Sequence, residues 1–214
     1  IADHPVRYRV LPLGAEGRQA LTLAPADADG RTPPITCTHL HGDHWAGAVL
    51  AALTVGQTFG VTTSDALEAL RELLPLPGRM RWLAGDDGAI LLDDSHNAVP
   101  ASAAAGLAVL RALGAARRAP RIAVLGDLLR LGTLEEEAHR ELGALAATCA
   151  DYVVTRGVRA ERIAEAAVSA GLEPARVAVT HTVEDAAAAA RGFARLARDQ
   201  AGAGGADPLT PLIY

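Results

Sequence analysis

The 214-residue sequence contains no lysine; all 20 of its basic residues are arginine. A glycine-rich phosphate loop ending in Gly-Lys-Ser/Thr therefore does not lie within it. Cysteine is nearly absent as well. Cys37 and Cys149 are too few and too far apart for a disulfide framework or a cysteine-based zinc motif, which points to a reducing, cytoplasmic setting. Aromatic residues make up only 3% of the chain, so any core has to be built from small and aliphatic side chains. There is no excess of positive charge. A formal net charge of -5 and a pI near 5.8 argue against a surface for nucleic acid. No apolar run approaches the roughly 20 residues of a membrane span, and the first residues lack a charged-then-apolar export signal, so no membrane association is expected. What the chain does hold is an apolar half, rich in Ala and Leu, and enough length for a sizeable core.

Residues 5 to 23 show two apolar runs around a glycine-containing turn and predict a hairpin, followed by a loop over 24 to 36. A helical pattern runs from Trp45 to Phe59, and another follows in "TTSDALEALRELL", with Ser64 as its N-cap. "PLPGRM" breaks the pattern and predicts a domain boundary near residues 77 to 81. Beyond it one unit repeats. "AILLD", "RIAVLG", "DYVV" and "RVAVT" each precede an amphipathic helix, over 100 to 113, 134 to 147, 159 to 170 and 183 to 198. Short aliphatic strands alternating with helices predict an α/β fold, a Rossmann-like open and mostly parallel sheet with helices on both faces. Thr133 with Glu136 reads as a capping box, and Thr182 caps the last helix. Residues 201 to 207 read as flexible, and the final "PLTPLIY" as an edge strand or a disordered end.

Two constellations carry chemistry. The first is "THLHGDHWAG", in which His39, His41, Asp43 and His44 stand at the H-x-H-x-D-H spacing of zinc hydrolases of the metallo-β-lactamase type. His96, Asp127 and His181 could complete such a site. The second is the set of polar residues after each predicted strand: Asp93 to Asn97, Gly126 with Asp127, Thr155 to Gly157, and Thr180 with His181. All fall at the carboxyl ends of parallel strands, the edge where open α/β sheets bind ligands, although turn formers and helix caps occupy the same places.

From residue 40 onward, "GDHWAGAVLAALTVGQTFGV", "PLPGRM", "LLDDSHNAVP", "AVLGDLLRLGTLEEEAHRELG" and "DYVVTRGVRAERIAEAA" follow in order. In these segments the chain resembles the Mur ligases, most closely the MurF type, which joins D-alanyl-D-alanine to a UDP-N-acetylmuramoyl-tripeptide. The resemblance implies a fragment of an ATP-dependent, amide-forming ligase of peptidoglycan precursor synthesis. Residues 1–80 would be the C-terminal part of its central ATPase domain, and 81–214 its Rossmann-like C-terminal domain. It also implies roles. Arg79 would reach the ATP phosphates as the catalytic cation; its other reading is a surface hinge charge. His44 would lie on the adenine side or serve structurally, and Asp94 would accept from the ribose hydroxyls. Asn97 would orient the nucleotide or cap the following helix. Asp127 would meet the incoming amine or cap the next helix. ATP and Mg2+ would be held largely by polypeptide outside this sequence, and no metal ligands are assigned within it. The partners implied are a UDP-MurNAc-peptide, an amino acid or dipeptide, and the rest of the same polypeptide. The family's phosphate-binding and carbamylated lysines have no counterpart, and Trp45, Ala48, His96, Val99 and Arg130 stand where the family pattern has other residues. A zinc hydrolase and a non-catalytic α/β binding module are the alternatives.

Overall fold

The computed structural model describes residues 8–13, 20–25, 34–203 and 212–214. The chain divides into two compact units, Ile1–Pro75 and Leu76–Tyr214. The division falls before the Pro77–Met80 turn rather than at residue 80, because the backbone of that turn is hydrogen-bonded to residues 93 to 96 of the second unit.

In the first unit, β1 (Tyr8–Leu11), β2 (Leu21–Pro25) and β3 (Ile35–Cys37) form an antiparallel sheet in that order. Residues read as loop thus supply the end of β2 and Ile35 and Thr36 of β3. Leu21, Leu23, Ile35 and Cys37 alternate with more exposed residues and turn one face into a core with Leu40, Val49 and Leu70. Burial pushes the Cys37 thiol up to about 11, so it stays a neutral apolar filler. A 3-10 turn, Asp43–Trp45, leads into α1 (Ala46–Thr58), and α2 (Thr63–Glu72) follows. Thr62, not Ser64, is the N-cap of α2; its hydroxyl accepts from the Asp65 N–H at 3.2 Å. The α1 helix has no polar face, yet it buries only Ala46 and Val49, and leaves Val55 exposed, with Phe59 just past its end.

The second unit holds a six-stranded sheet. Its elements are β4 (Arg81–Ala84), β5 (Ile90–Asp93), α3 (Pro100–Arg117), β6 (Arg121–Gly126), α4 (Glu135–Cys149), β7 (Tyr152–Arg156), α5 (Glu161–Ser169), β8 (Val177–Thr180), α6 (Val183–Ala203) and β9 (Leu212–Ile213). The strand order is β4-β5-β9-β6-β7-β8. Only β4, an edge strand without a counterpart in the sequence reading, runs antiparallel to its neighbour. β9 is not an edge strand: it is inserted between β5 and β6 and pairs parallel with both. The run β5, β6, β7, β8 progresses in one direction, so right-handed crossovers put α3, α4 and α5 on one face, and the return from β8 to β9 puts α6 on the other.

Small residues set the layer spacing. Ala186, Ala190, Ala194 and Ala197 recur at helical spacing and lay α6 on Ile122, Tyr152 and Val154, and Phe193 stacks on Tyr152 at 4.8 Å. Leu107, Leu110 and Leu113 of α3 are fully buried, each contributing about 1.5–3 kcal/mol of transfer free energy. Gly143 lets α4 approach the Ile163 carbonyl of α5 so closely that a β-carbon would overlap it. Thr133 and Glu136 form no capping box, and α4 is entered through the 3-10 turn Gly132–Leu134. Thr182 does cap α6, accepting from the Asp185 N–H at 3.1 Å and donating to its carboxylate at 2.7 Å. Among the described residues no helix is long and apolar enough to cross a membrane.

Candidate functional site

The carboxyl ends of β5, β6 and β7 border a cavity of about 950 Å³ in the second unit. Its polar rim is formed by Asp93 to Ser95, Asn97, Gly126, Asp127 and Arg156; its apolar wall comes from Leu83, Leu91 and the alanines of α6. This is the edge at which βα units converge their turns.

Two adjacent carboxylates at the end of β5 organise one side of it. Asp93 accepts from the Gly78 N–H at 3.0 Å and from the Ser95 hydroxyl at 2.6 Å and N–H at 3.2 Å. Burial alone would raise its pKa, but those hydrogen bonds, with Arg81 nearby, outweigh it and hold the carboxyl below its ordinary value. Asp94 accepts from the Met80 N–H at 3.1 Å through one oxygen and from the Tyr214 hydroxyl at 3.3 Å through the other. The His96 N–H in turn donates to the Gly78 carbonyl at 3.1 Å. The Pro77–Met80 turn is thereby latched to the Asp93–His96 loop. Arg79 sits between Gly78 and Met80, both left-handed with φ of 72° and 53°. Gly78 is required twice over: its φ favours glycine, and a β-carbon would lie 2.8 Å from the His96 nitrogen. Met80 has no such excuse and is buried in a conformation that costs free energy, sustained by the Asp94 hydrogen bond. The Arg79 side chain projects, exposed, from this fixed turn.

Just past the end of β6, two strands from β5, Asp127 accepts from the Ala160 N–H at 2.8 Å and lies 3.7 Å from the Arg159 guanidinium. It therefore caps the entry to α5, not the helix that follows it in sequence. Gly157, at φ 114°, makes room, since a β-carbon there would collide with the Asp127 carboxylate. The loop beyond Asp127 is held by His139, which is wholly buried. Its Nδ1 donates to the Glu135 carbonyl at 2.6 Å and its Nε2 accepts from the Leu128 N–H at 3.0 Å, which fixes the neutral tautomer. Arg156 lies beside Gly126 at the cavity rim.

Arg79, Asp94, Asn97 and Asp127 thus belong to one unit, with Arg79 linked to the Asp93–Asp94 loop through its neighbours Gly78 and Met80 and with Asn97 and Asp127 on the same rim. Asn97 does not cap α3: the N-cap is Val99, whose N–H and carbonyl both pair with the Ser102 hydroxyl at 3.1 Å. His44 belongs to the first unit, exposed on the 3-10 turn before α1, with its ring 5.4 Å from that of Trp45. His41, two residues after His39, is buried. Among the described residues no three His, Cys, Asp or Glu side chains are grouped to hold a metal ion. In the second unit Asp127 is committed to the α5 entry, and His181 lies 3.7 Å from Glu161. Met80, Asp93 and Tyr214 went unassigned in the sequence. The paired aspartates were a signal for Asp93; none existed for Tyr214.

Residues 78–201 match the family model described as Mur ligase, glutamate ligase domain. Over 128 residues, 59% of this chain, the sequence is 34% identical to the UDP-N-acetylmuramoyl-tripeptide--D-alanyl-D-alanine ligase of Bacillus subtilis (strain 168), covering 28% of that protein. Its Escherichia coli (strain K12) namesake is 32% identical over 128 residues, 59% of this chain and 27% of that protein. A crystal structure of MurF from Acinetobacter baumannii superposes with a TM-score of 0.74 at 20% identity, covering 100% of this chain and 42% of that one. MurF ligase from Thermotoga maritima in complex with ADP gives 0.61 at 18% identity, over 92% of this chain and 40% of that one. The matched region is thus little more than a quarter of the length of these curated relatives.

Proposed function

This chain belongs to the Mur ligase family, and on that premise we propose that it is part of an ATP-dependent ligase of peptidoglycan precursor synthesis. Residues 1–75 are read as the end of the central ATPase domain and 76–214 as the domain that receives the amine. The relatives' names support D-alanyl-D-alanine as the amine and a UDP-N-acetylmuramoyl-tripeptide as the carboxylate substrate. A carboxylate oxygen of the peptide attacks the γ-phosphorus of ATP; ADP leaves and an acyl phosphate forms. The amine nitrogen then attacks the acyl carbon, inorganic phosphate leaves, and the nitrogen gives up a proton.

The observation that carries this reading is the latch between the Pro77–Met80 turn and the Asp93–His96 loop. It holds an exposed guanidinium on a rigid turn beside two carboxylates, and Arg suits phosphate oxygens through its planar, always-charged fork. Arg79 bears on the transferred phosphoryl group, where negative charge spreads over the oxygens. Asp94, held by the Met80 N–H and the Tyr214 hydroxyl, is read as the acceptor for the ribose hydroxyls. Asn97 lies on the same rim, and His44, in the other unit, is read as an adenine-side or structural residue. Asp127, fixed by Ala160 and Arg159, keeps acceptor capacity for an N–H of the incoming amine. Among the described residues no three His, Cys, Asp or Glu side chains are grouped to hold a metal ion, and no step is assigned to magnesium.

In the complete polypeptide, Arg79→Ala should lower kcat for ATP-dependent amide formation by about 10²–10³-fold, read as ADP release coupled to product. Full activity in that variant would overturn the assignment.

A further inference from the structure

A side chain that no motif marks reaches the site through the central strand. Tyr214 follows β9, and its N–H donates to the Ile122 carbonyl at 2.8 Å while its own carbonyl accepts from Val124 of β6. Its ring lies against Gly106 of α3, where a β-carbon would overlap it. From there the hydroxyl donates to Asp94 Oδ2 at 3.3 Å. Burial, then the Asp94 charge and this hydrogen bond, push the phenol far above its ordinary value, so it remains a donor through the neutral range.

We propose that Tyr214 is a positioning residue for the nucleotide end of the site, acting through Asp94 on Arg79; the inference rests on the ligase reading above. Met80 N–H holds Oδ1, and the Tyr214 hydroxyl holds Oδ2, so the two together fix both side-chain torsions of Asp94. Asp94 so fixed keeps Met80 in its left-handed conformation, and with it the direction of the neighbouring Arg79. Because the Tyr214 backbone is part of the sheet and its ring is seated on Gly106, the hydroxyl has little freedom to follow a displaced Asp94. Phenylalanine at this position keeps the ring and loses only the second anchor.

The test is a double-mutant cycle in the complete polypeptide with Tyr214→Phe, Asp94→Asn and the pair, measuring kcat, KM for ATP, KM for D-alanyl-D-alanine and melting temperature, with Arg79→Ala alongside. Tyr214→Phe is expected to lower kcat/KM for ATP about tenfold, the worth of one hydrogen bond to a charged group. KM for the amine and the melting temperature should change little, and the double variant should be no weaker than Asp94→Asn alone. Unchanged kcat/KM in Tyr214→Phe, or a loss that adds independently to that of Asp94→Asn, would overturn the positioning role while leaving the ligase reading intact if Arg79→Ala still shows its large loss of kcat. Full activity in Arg79→Ala would bring down the reading and this inference together.

Discussion

Arg121 and Asp151 stand at or just before the first residues of neighbouring strands and lock them by reciprocal bonds. The Arg121 N–H and Nε donate to Asp151 Oδ2 at 2.9 and 3.0 Å, Nη2 donates to Oδ1 at 2.7 Å, and the Asp151 N–H returns to the Arg121 carbonyl at 2.8 Å. Burial would raise the Asp151 carboxyl, but the Arg121 hydrogen bonds and charge outweigh it and leave its pKa lowered. A carboxyl depressed in the folded state stabilises fully above its unfolded value, near 4, and loses that contribution as pH falls through the folded value. Asp151→Asn should therefore cost about 1–3 kcal/mol at neutral pH, measured by urea unfolding, and the gap to the parent chain should close as pH falls below about 4. The gap persisting unchanged at pH 2 would count against this account. At the same scale, Arg79 and Asp94 became candidates because short motifs mark them locally. The hydrogen bonds that make Asp94 a clamp could not, because their partners, Met80 and Tyr214, lie 14 and 120 residues away.

The βα units of the second unit were legible because each strand is a short aliphatic run and each helix carries an apolar stripe. Two elements were not. β4 is partly exposed at the sheet edge and shows no alternation of buried residues, so period-2 patterning had nothing to register. β9 has two residues, and its place between β5 and β6 is decided by non-local pairing alone. Caps divided the same way: Thr182 acts as read, whereas Ser64 and Thr133 lose to the geometry of the preceding turn. Deleting residues 212–214 should leave β5 and β6 with facing rows of unpaired N–H and C=O groups. The expected outcome is loss of amide protection in both strands by hydrogen exchange, with α4 and α5, which pack on each other, keeping theirs longest. Uniform protection after the deletion would contradict it.

At the scale of the whole molecule, the absence of lysine bears on what 214 residues can do alone. On the proposed reading Arg79 and Asp94 would offer one part of a nucleotide site, and a phosphate-binding loop of the Gly-Lys-Ser/Thr kind is not in this sequence. The isolated chain is therefore expected to bind ATP only at about millimolar strength or weaker, by calorimetric titration, because the energy of a shared site depends on all its parts being held in place. Micromolar binding by this chain would show that the contacts lie within it. The non-sequential strand order has a further consequence, in time rather than in space. A ribosome releases β5 and β6 well before β9 exists, and the slot between them can close correctly only when residues 212 to 214 emerge. For several seconds of translation, at roughly 5–20 residues per second, the nascent sheet presents two open edges. Synthesis rate and chaperone supply, more than final stability, should then govern how much of this unit reaches its native pairing.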